Sequence, residues 1–317
     1  MINAYRQSIK ALRANVGRTI LTMLGIVIGI STVILVLSAG AGFRSLIDAQ
    51  VAVYGSNTLF IETRVPPTTK NRAASADANQ FAGIASGVQI TSLKQRDLDE
   101  IRRLSNVSGT YGMVVGQAIA SYRNNKKEAF YYGASAERFK IDKNTLSSGR
   151  FYAEAEDVGG AQVVILGATL AENLFGQDEP VGKLVRVGNL NFQVIGVYDV
   201  QGALSGGGDD TVYMPLATAQ KKMLGIDYLL FGVAQLKDPN LDKATQEQME
   251  YILRANHDIT DPDKDDFTVR TQEQAMETFN TIFDGITILL IAIAAISLIV
   301  GGVGIMNIMY VVVTERT

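Results

Sequence analysis

The stretch Thr19–Phe43, TILTMLGIVIGISTVILVLSAGAGF, contains no charged residue. A helix needs about 20 apolar residues to cross the hydrocarbon core of a bilayer. In lipid the backbone must satisfy its own hydrogen bonds, so such a segment is helical. A second block, Gly285–Thr314, GITILLIAIAAISLIVGGVGIMNIMYVVVT, is also charge-free and longer. It must tilt, or its first turns must stand proud of the membrane. The two blocks predict two transmembrane helices that bracket one large domain.

The flanks set the orientation. Arg6, Lys10, Arg13 and Arg18 precede the first block, and no acid occurs before Asp48. Basic residues collect on the cytoplasmic side, so the N-terminus is expected inside, in a multi-pass protein of a bacterial inner membrane. Tyr5, Ile9, Leu12 and Val16 fall on one helical face, and Arg6, Lys10 and Arg13 on another. That pattern suits an amphipathic helix on an anionic leaflet. The rival reading is a cleaved signal peptide, since Ala39-Gly40-Ala41 resembles a cleavage site. The apolar core Ile20–Leu37 exceeds the usual signal length. The expected order is an amphipathic helix at 1–18, a first span at 19–43, and an extracytoplasmic domain at 44–282. A second span follows at 283–313, then the start of a cytoplasmic loop at 314–317.

Composition narrows the function. The 317 residues include no Cys, which excludes disulfides, thiol chemistry and Cys-based zinc sites. Net charge is −3, which gives no sign of nucleic-acid binding. Between positions 45 and 314 there are 23 basic and 31 acidic residues, so the middle of the chain is acidic.

The domain between the spans reads as α+β. A strand is expected over Tyr54–Thr63, and a polar, Pro- and Ser-rich loop over 64–89. A helix from N-cap Thr91 to Leu104 follows. Gly109–Arg123 and Lys127–Gly133 form a hairpin that turns at Asn124-Asn125. Then come a strand at Val163–Leu166, a helix at Thr169–Phe175, and a hairpin of Lys183–Val187 with Phe192–Val197. Gly202–Asp210 reads as a glycine loop. A strand at Thr211–Met214, a helix at Leu216–Leu224 and a strand at Tyr228–Leu236 come next. A helix at Leu241–Asn256 and a strand at Thr268–Arg270 close the domain, and a polar helix at Gln272–Asp284 runs into the second span. The loops at 64–89 and 202–210 are the expected partner-contacting elements.

No catalytic constellation is visible, so the chain is not expected to be an enzyme and no cofactor or metal is assigned to it. The single His, His257, reads as a solvated loop residue. Asp209-Asp210 and Asp263–Asp266 lack the spacing of a calcium loop and read as solvated surface. Gly176–Lys183, GQDEPVGK, has the wrong glycine spacing for a phosphate loop and Leu184 where a hydroxyl is needed. It reads as a turn between a helix and a strand. The glycines of the spans are more informative. Gly25 and Gly29 form a G-x-x-x-G, and Gly301, Gly302 and Gly304 crowd the second span. Small residues at this spacing let helices pack closely. Asn307 is expected to face another helix rather than lipid.

Several segments are similar to one family. Leu21–Gly29 with Arg18-Thr19, and Gly301–Met309 with Thr314–Thr317, resemble the first two membrane helices of MacB-like, FtsX-type ABC transporter permeases. Leu174-Phe175-Gly176, Pro180–Lys183, Val194–Val197 and Tyr213–Leu216 resemble the same family's extracytoplasmic domain. The resemblance implies a porter-like αβ subdomain with an inserted, smaller β-containing subdomain at about 134–200. It implies mechanotransmission, in which dimerisation of an ATP- and Mg-binding partner ATPase closes the membrane helices and moves the outer domains. The implied partners are that ATPase, a second permease copy and a periplasmic adaptor, and Glu315 and Arg316 begin the implied ATPase-coupling loop.

Such permeases have four membrane helices, and this sequence stops at Thr317. The expectation is therefore a fragment, a truncated reading frame or a split permease of an efflux system. The alternatives are a module that transmits force to a cell-wall hydrolase, or a lipoprotein-release permease.

Overall fold

The computed structural model describes residues 57–66, 90–200 and 209–314, plus scattered positions between 17 and 42. Within 272–314 the backbone is described throughout, but only part of the side chains. The chain divides into two compact units, Ile47–Ala275 and a second made of Met1–Leu46 with Met276–Thr317.

The first unit is built on ten strands in one sheet among the described residues. In chain order the elements are β1 Thr58–Thr63, α1 Gln95–Ile101, β2 Val107–Tyr122, β3 Asn125–Ala134, α2 Arg138–Ile141, β4 Leu146–Gly149 and α3 Glu154–Val158. They continue with β5 Val163–Leu166, α4 Ala168–Phe175, β6 Leu184–Val187, β7 Leu190–Tyr198, β8 Thr211–Pro215 and α5 Leu216–Thr218, which runs into a π-helical turn at Ala219–Leu224. The last are β9 Phe231–Leu236, α6 Asp242–Asn256, β10 Phe267–Thr271 and α7 Gln272–Thr314. The sheet order is β10-β1-β9-β2-β3-β8-β5-β7-β4, and β6 pairs with both β2 and β7.

β2 organises the sheet. Its first half pairs antiparallel with β9, and its second half with β3. Gly112 of β2 faces Gly232 of β9 across that ladder. A Cβ built on Gly232 would lie 2.7 Å from Leu98 Cδ2, and one on Gly112 3.0 Å from Leu98 Cδ1. The paired glycines therefore form the seat of α1, and Leu98 is fully buried on it. Burying one such leucine contributes roughly 1.5–3 kcal/mol. At the other end of β2 the cover is α4. Its Leu170, Ala171, Leu174 and Phe175 are buried at helical spacing, and Phe175 stacks on Tyr122 at 4.1 Å. Asn125 Nδ2 donates to the Leu174 carbonyl at 2.8 Å, satisfying one of the orphan acceptors of the α4 C-terminus.

Most predicted elements are present, with shifts that have local causes. α1 starts at Gln95 rather than after Thr91. The Leu93 carbonyl accepts the Leu229 N–H at 2.8 Å, which keeps that residue out of the helix. The Lys94 N–H then donates to Asp97 Oδ2 at 2.7 Å, which closes the helix start there. The β2–β3 hairpin turns at Arg123-Asn124, with Arg123 at φ +52°, and Asn125 already pairs with Tyr122. Three short elements, α2, β4 and α3, are present beyond those the sequence predicts. Gly176 and Gly182 both have positive φ and lie between α4 and β6, as expected of a turn.

In the second unit, every described position between 17 and 42 is helical. A Cβ built on Gly40 would lie 4.0 Å from Thr287 Oγ1 of α7. The expected amphipathic helix before Gly17 lies outside the described residues, as do the candidate contact loops 64–89 and 202–210 apart from their ends at 64–66 and 209–210. Among the described residues no helix is long and apolar enough to cross a membrane. The backbone of α7 is helical across the whole charge-free block 285–314.

Candidate functional site

A cleft of about 400 Å³ opens on the first unit between α1, the start of α2, α3 and α5. Asp99 and Arg102 come from α1, Glu137 from the turn before α2, Glu154 and Asp157 from α3, and Gln220 and Lys221 from the π-helical turn. Such turns lengthen the helical repeat and recur at functional sites. This one is held firmly. Gln220 Nε2 donates to the Tyr228 carbonyl at 2.9 Å, and Lys222 Nζ to the Gly160 carbonyl at 2.8 Å. Ala219 sits directly over Gly133, where an added Cβ would come within 2.1 Å of its own.

Asp157 lies under the cleft. It is 8% exposed, and its Oδ2 accepts the Ala136 N–H at 3.0 Å. Its Oδ1 has no hydrogen-bond partner. Burial pushes this carboxyl above its ordinary value, and the nearby amides of Ala136, Ala217 and Leu216 only partly oppose that. α3 itself is held by Arg150, which donates to both oxygens of Glu156 at 2.7 Å. That hydrogen-bonded guanidinium pulls Glu156 down to about 2.

Two buried ionic centres stand apart from the cleft. In one, Arg138 Nε donates to Asp142 Oδ2 at 2.6 Å, Tyr111 donates to Asp142 Oδ1 at 3.1 Å, and the guanidinium lies 4.5 Å over the Tyr213 ring. In the other, His257 lies between Asp266 and Asp97. This corrects two expectations. His257 is not solvated: its side chain is 2% exposed. The run Asp263–Asp266 is not all open surface either, because Asp265 binds Arg254 at 2.8 Å and Asp266 binds His257 at 2.7 Å. A polar sequence hides such residues, since their burial and pairing depend on how the strands and helices around them fold.

The helix-packing candidates are only partly visible. Gly25, Gly29, Glu315 and Arg316 lie outside the described residues, as do the surroundings of Gly304 and Asn307. Gly301 is buried, and a Cβ built on Gly302 would meet nothing within 4 Å. Sequence reasoning passed over the cleft residues. Asp157 sits in the acid-rich run Glu154-Ala155-Glu156-Asp157, where no local pattern sets it apart from its neighbours.

The mixed sheet with its covering helices matches known proteins. The family model described as the MacB-like periplasmic core domain matches residues 19–252. The chain belongs to the MacB-like periplasmic core domain family. The macrolide export ATP-binding/permease protein MacB of Wolinella succinogenes is 31% identical over all of this chain and 46% of its own length. The pyoverdine export ATP-binding/permease protein PvdT of Pseudomonas entomophila is 28% identical over all of this chain and 46% of its own length. This MacB-like chain thus spans about half the length of the curated relatives it matches. The crystal structure of the periplasmic region of MacB from Actinobacillus actinomycetemcomitans has a TM-score of 0.58 at 20% identity, covering 73% of this chain and 95% of that one. At that identity the likeness shows the fold alone. The MacB-like core is a mixed α/β domain, as the alternation of short strands and helices predicts.

Proposed function

We propose that this MacB-like chain is the permease part of an ABC-type exporter, with the 44–282 region outside an inner membrane and two spans anchoring it. The observation that carries the reading is the surface of α7. Large apolar side chains stand exposed along it, including Ile288 at 68%, Ile296 at 62%, Val300 at 66% and Met306 at 65%. A helix that is apolar all round belongs in lipid or against other helices, not in water. The basic N-terminal flank supports a cytoplasmic N-terminus.

The mechanism would be transmission of motion. β10 ends at Thr271 and α7 begins at Gln272, with no loop between them. The junction is capped both ways: Thr271 N–H donates to Gln274 Oε1 at 3.0 Å, and Gln274 N–H donates to Thr271 Oγ1 at 3.1 Å. A displacement of α7 would therefore pass directly into the edge strand of the sheet. ATP and Mg would be bound by a partner ATPase, contacted through Glu315 and Arg316. Gly25, Gly29, Gly301, Gly302, Gly304 and Asn307 would pack the spans against each other and against a second copy. A periplasmic adaptor would complete the path, and the relatives' names make macrolides and pyoverdine the first cargoes to try.

The test is isolation of the chain from its native membrane in mild detergent. An ATPase should co-purify, and Gly302→Leu should change its turnover while leaving the amount bound unchanged. Absence of any associated ATPase would overturn the reading.

A further inference from the structure

His257 stands where three elements meet, and the transport reading above makes no use of it. It follows the last residue of α6, Asp97 lies in the first turn of α1, and Asp266 directly precedes β10. The ring Nδ1 lies 2.7 Å from Asp266 Oδ1. Nε2 faces Asp97 Oδ2 at 3.5 Å and is buried with no hydrogen-bond partner. That second contact changes sign with one proton. In the charged ring an N–H faces the Asp97 carboxylate, and the two attract. In the neutral ring the remaining N–H stays with Asp266, and a lone pair faces that carboxylate instead.

The two sides of the ring are held unequally without it. Arg254 of α6 donates to both oxygens of Asp265, and Gln246 Nε2 donates to the Val269 carbonyl of β10 at 2.9 Å. These bonds strap α6 to β10 and its lead-in whatever the state of His257. Towards α1 the other polar links lie nearer the surface. Asn256 Nδ2 reaches Asp97 Oδ1 and Glu100 Oε2, and Arg96 Nη2 reaches the Asn256 carbonyl. The charged groups around the ring are Arg96, Asp97 and Glu100 of α1, Glu250 and Arg254 of α6, Asp265 and Asp266 before β10, and Arg64 after β1. Arg254 is taken by Asp265 and Glu250, and Arg96 is 62% exposed. His257 is thus the buried cation beside Asp97. Asp97 keeps the Lys94 N–H in either state, so α1 stays closed at its start.

We propose that His257 is a protonation latch: charged, it clamps the end of α6 and the start of β10 to α1, and neutral, it lets them move away from α1 as one piece. Burial pushes the ring down, but Asp266 and Asp97 outweigh that and hold it at about 9, so the latch is closed at neutral pH and opens in alkali. β10 runs directly into α7, so the latch would set how firmly α1 restrains the motion proposed above. Only that consequence rests on the transport reading.

The chain has no Cys, so pairs of introduced cysteines carry spin labels at chosen sites alone. The full chain is reconstituted in lipid nanodiscs, and EPR reads the label separation from pH 7 to 9.8. Arg103→Cys with Ala255→Cys spans α1 and α6, and Ala255→Cys with Thr268→Cys spans α6 and β10. The first separation should lengthen or broaden with a midpoint near pH 9, while the second stays constant. His257→Gln should abolish the response. Asp97→Asn should lower its midpoint by about one pH unit or more, the shift expected when an adjacent opposite charge is removed. Where His257→Gln does not fold, the Asp97→Asn midpoint decides. No change in the first pair, equal change in both pairs, the same response in His257→Gln, or an unmoved midpoint in Asp97→Asn would each overturn the latch. No ATPase enters these measurements, so their failure is distinct from failure of the transport reading.

Discussion

The imidazole Nδ1 of His257 lies 2.7 Å from Oδ1 of Asp266. On its other side Nε2 is 3.5 Å from Asp97 Oδ2, close enough for charge attraction but long for a hydrogen bond. The residue ends α6, Asp97 begins α1, and Asp266 precedes β10, so one ring links three elements. Phe267 packs edge-on against it at 5.7 Å. Asn256 Nδ2 also donates to Asp97 Oδ1 at 3.0 Å, and Arg96 Nε is 3.5 Å from the same oxygen.

Stability should fall in alkali because of this residue. Burial alone would push the imidazole down, but Asp266 and Asp97 outweigh it and hold it up at about 9, against 6.5 for a free histidine. A raised folded value contributes stability fully below about pH 6.5 and loses it as pH rises through 9. The loss should be at most roughly 3 kcal/mol. The two aspartates are shifted down, so their contribution is present above about 3.8 and is lost in acid. Urea unfolding of the chain and of His257→Gln between pH 6 and 9.5 checks this. The stability difference should shrink as pH rises, and a constant difference would refute the assignment.

Asp258 should be replaceable with a gain in stability. It has φ +57°, and the Ile259 N–H donates to the Arg254 carbonyl at 2.9 Å across it. That is a helix C-terminus closed through a left-handed residue, where glycine costs least. Asp258→Gly should stabilise by about 0.5–1 kcal/mol, read as a raised midpoint in thermal unfolding.

Two glycines of positive φ should respond differently to alanine. Gly149 has φ +86°, and an added Cβ would come within 2.2 Å of the Ile195 carbonyl oxygen. Gly176 has φ +60° with nothing within 4 Å. Gly176→Ala should cost about 1–3 kcal/mol from backbone strain alone, because ψ −114° puts it outside the left-handed helical well. Gly149→Ala must also move backbone and should cost more than about 3 kcal/mol. Parallel denaturant titrations should separate them clearly, and equal losses would show that the contact relaxes freely.

The Arg138–Asp142 pair is 4% and 2% exposed at its side chains. Removing one partner leaves a buried charge, so Arg138→Met or Asp142→Leu should each cost about 3–5 kcal/mol. The double variant removes both charges and should recover much of that loss. A double-mutant cycle in urea measures the coupling. Additive losses would mean that the pair does not act as one unit.

Much of the domain was legible because its elements carry local signals. Val163–Leu166 is a short β-branched run, and Asp242–Asn256 has apolar positions at helical spacing. The missed elements lacked such signals. β4, Leu146–Gly149, is four residues long and is held as a strand by pairing with β7. α2 is also four residues, with Arg138 buried and paired to Asp142 at the helix end. Nothing within either segment favours one state strongly.

The sequence by itself determined the two charge-free blocks, the basic N-terminal flank and the family, because each is written in contiguous residues. Length without charge is a property of the chain, and folding does not alter it. Only the tertiary structure decided the burial of His257, the pairing of Arg138 and the convergence of Asp99, Glu154 and Asp157 on one cleft. Asp97 and His257, and Asp99 and Glu154, lie tens of positions apart in polar runs, and even Arg138 and Asp142, four apart, are buried only by the strands around them. Their charges are compensated, or left uncompensated, by neighbours that the sheet brings together.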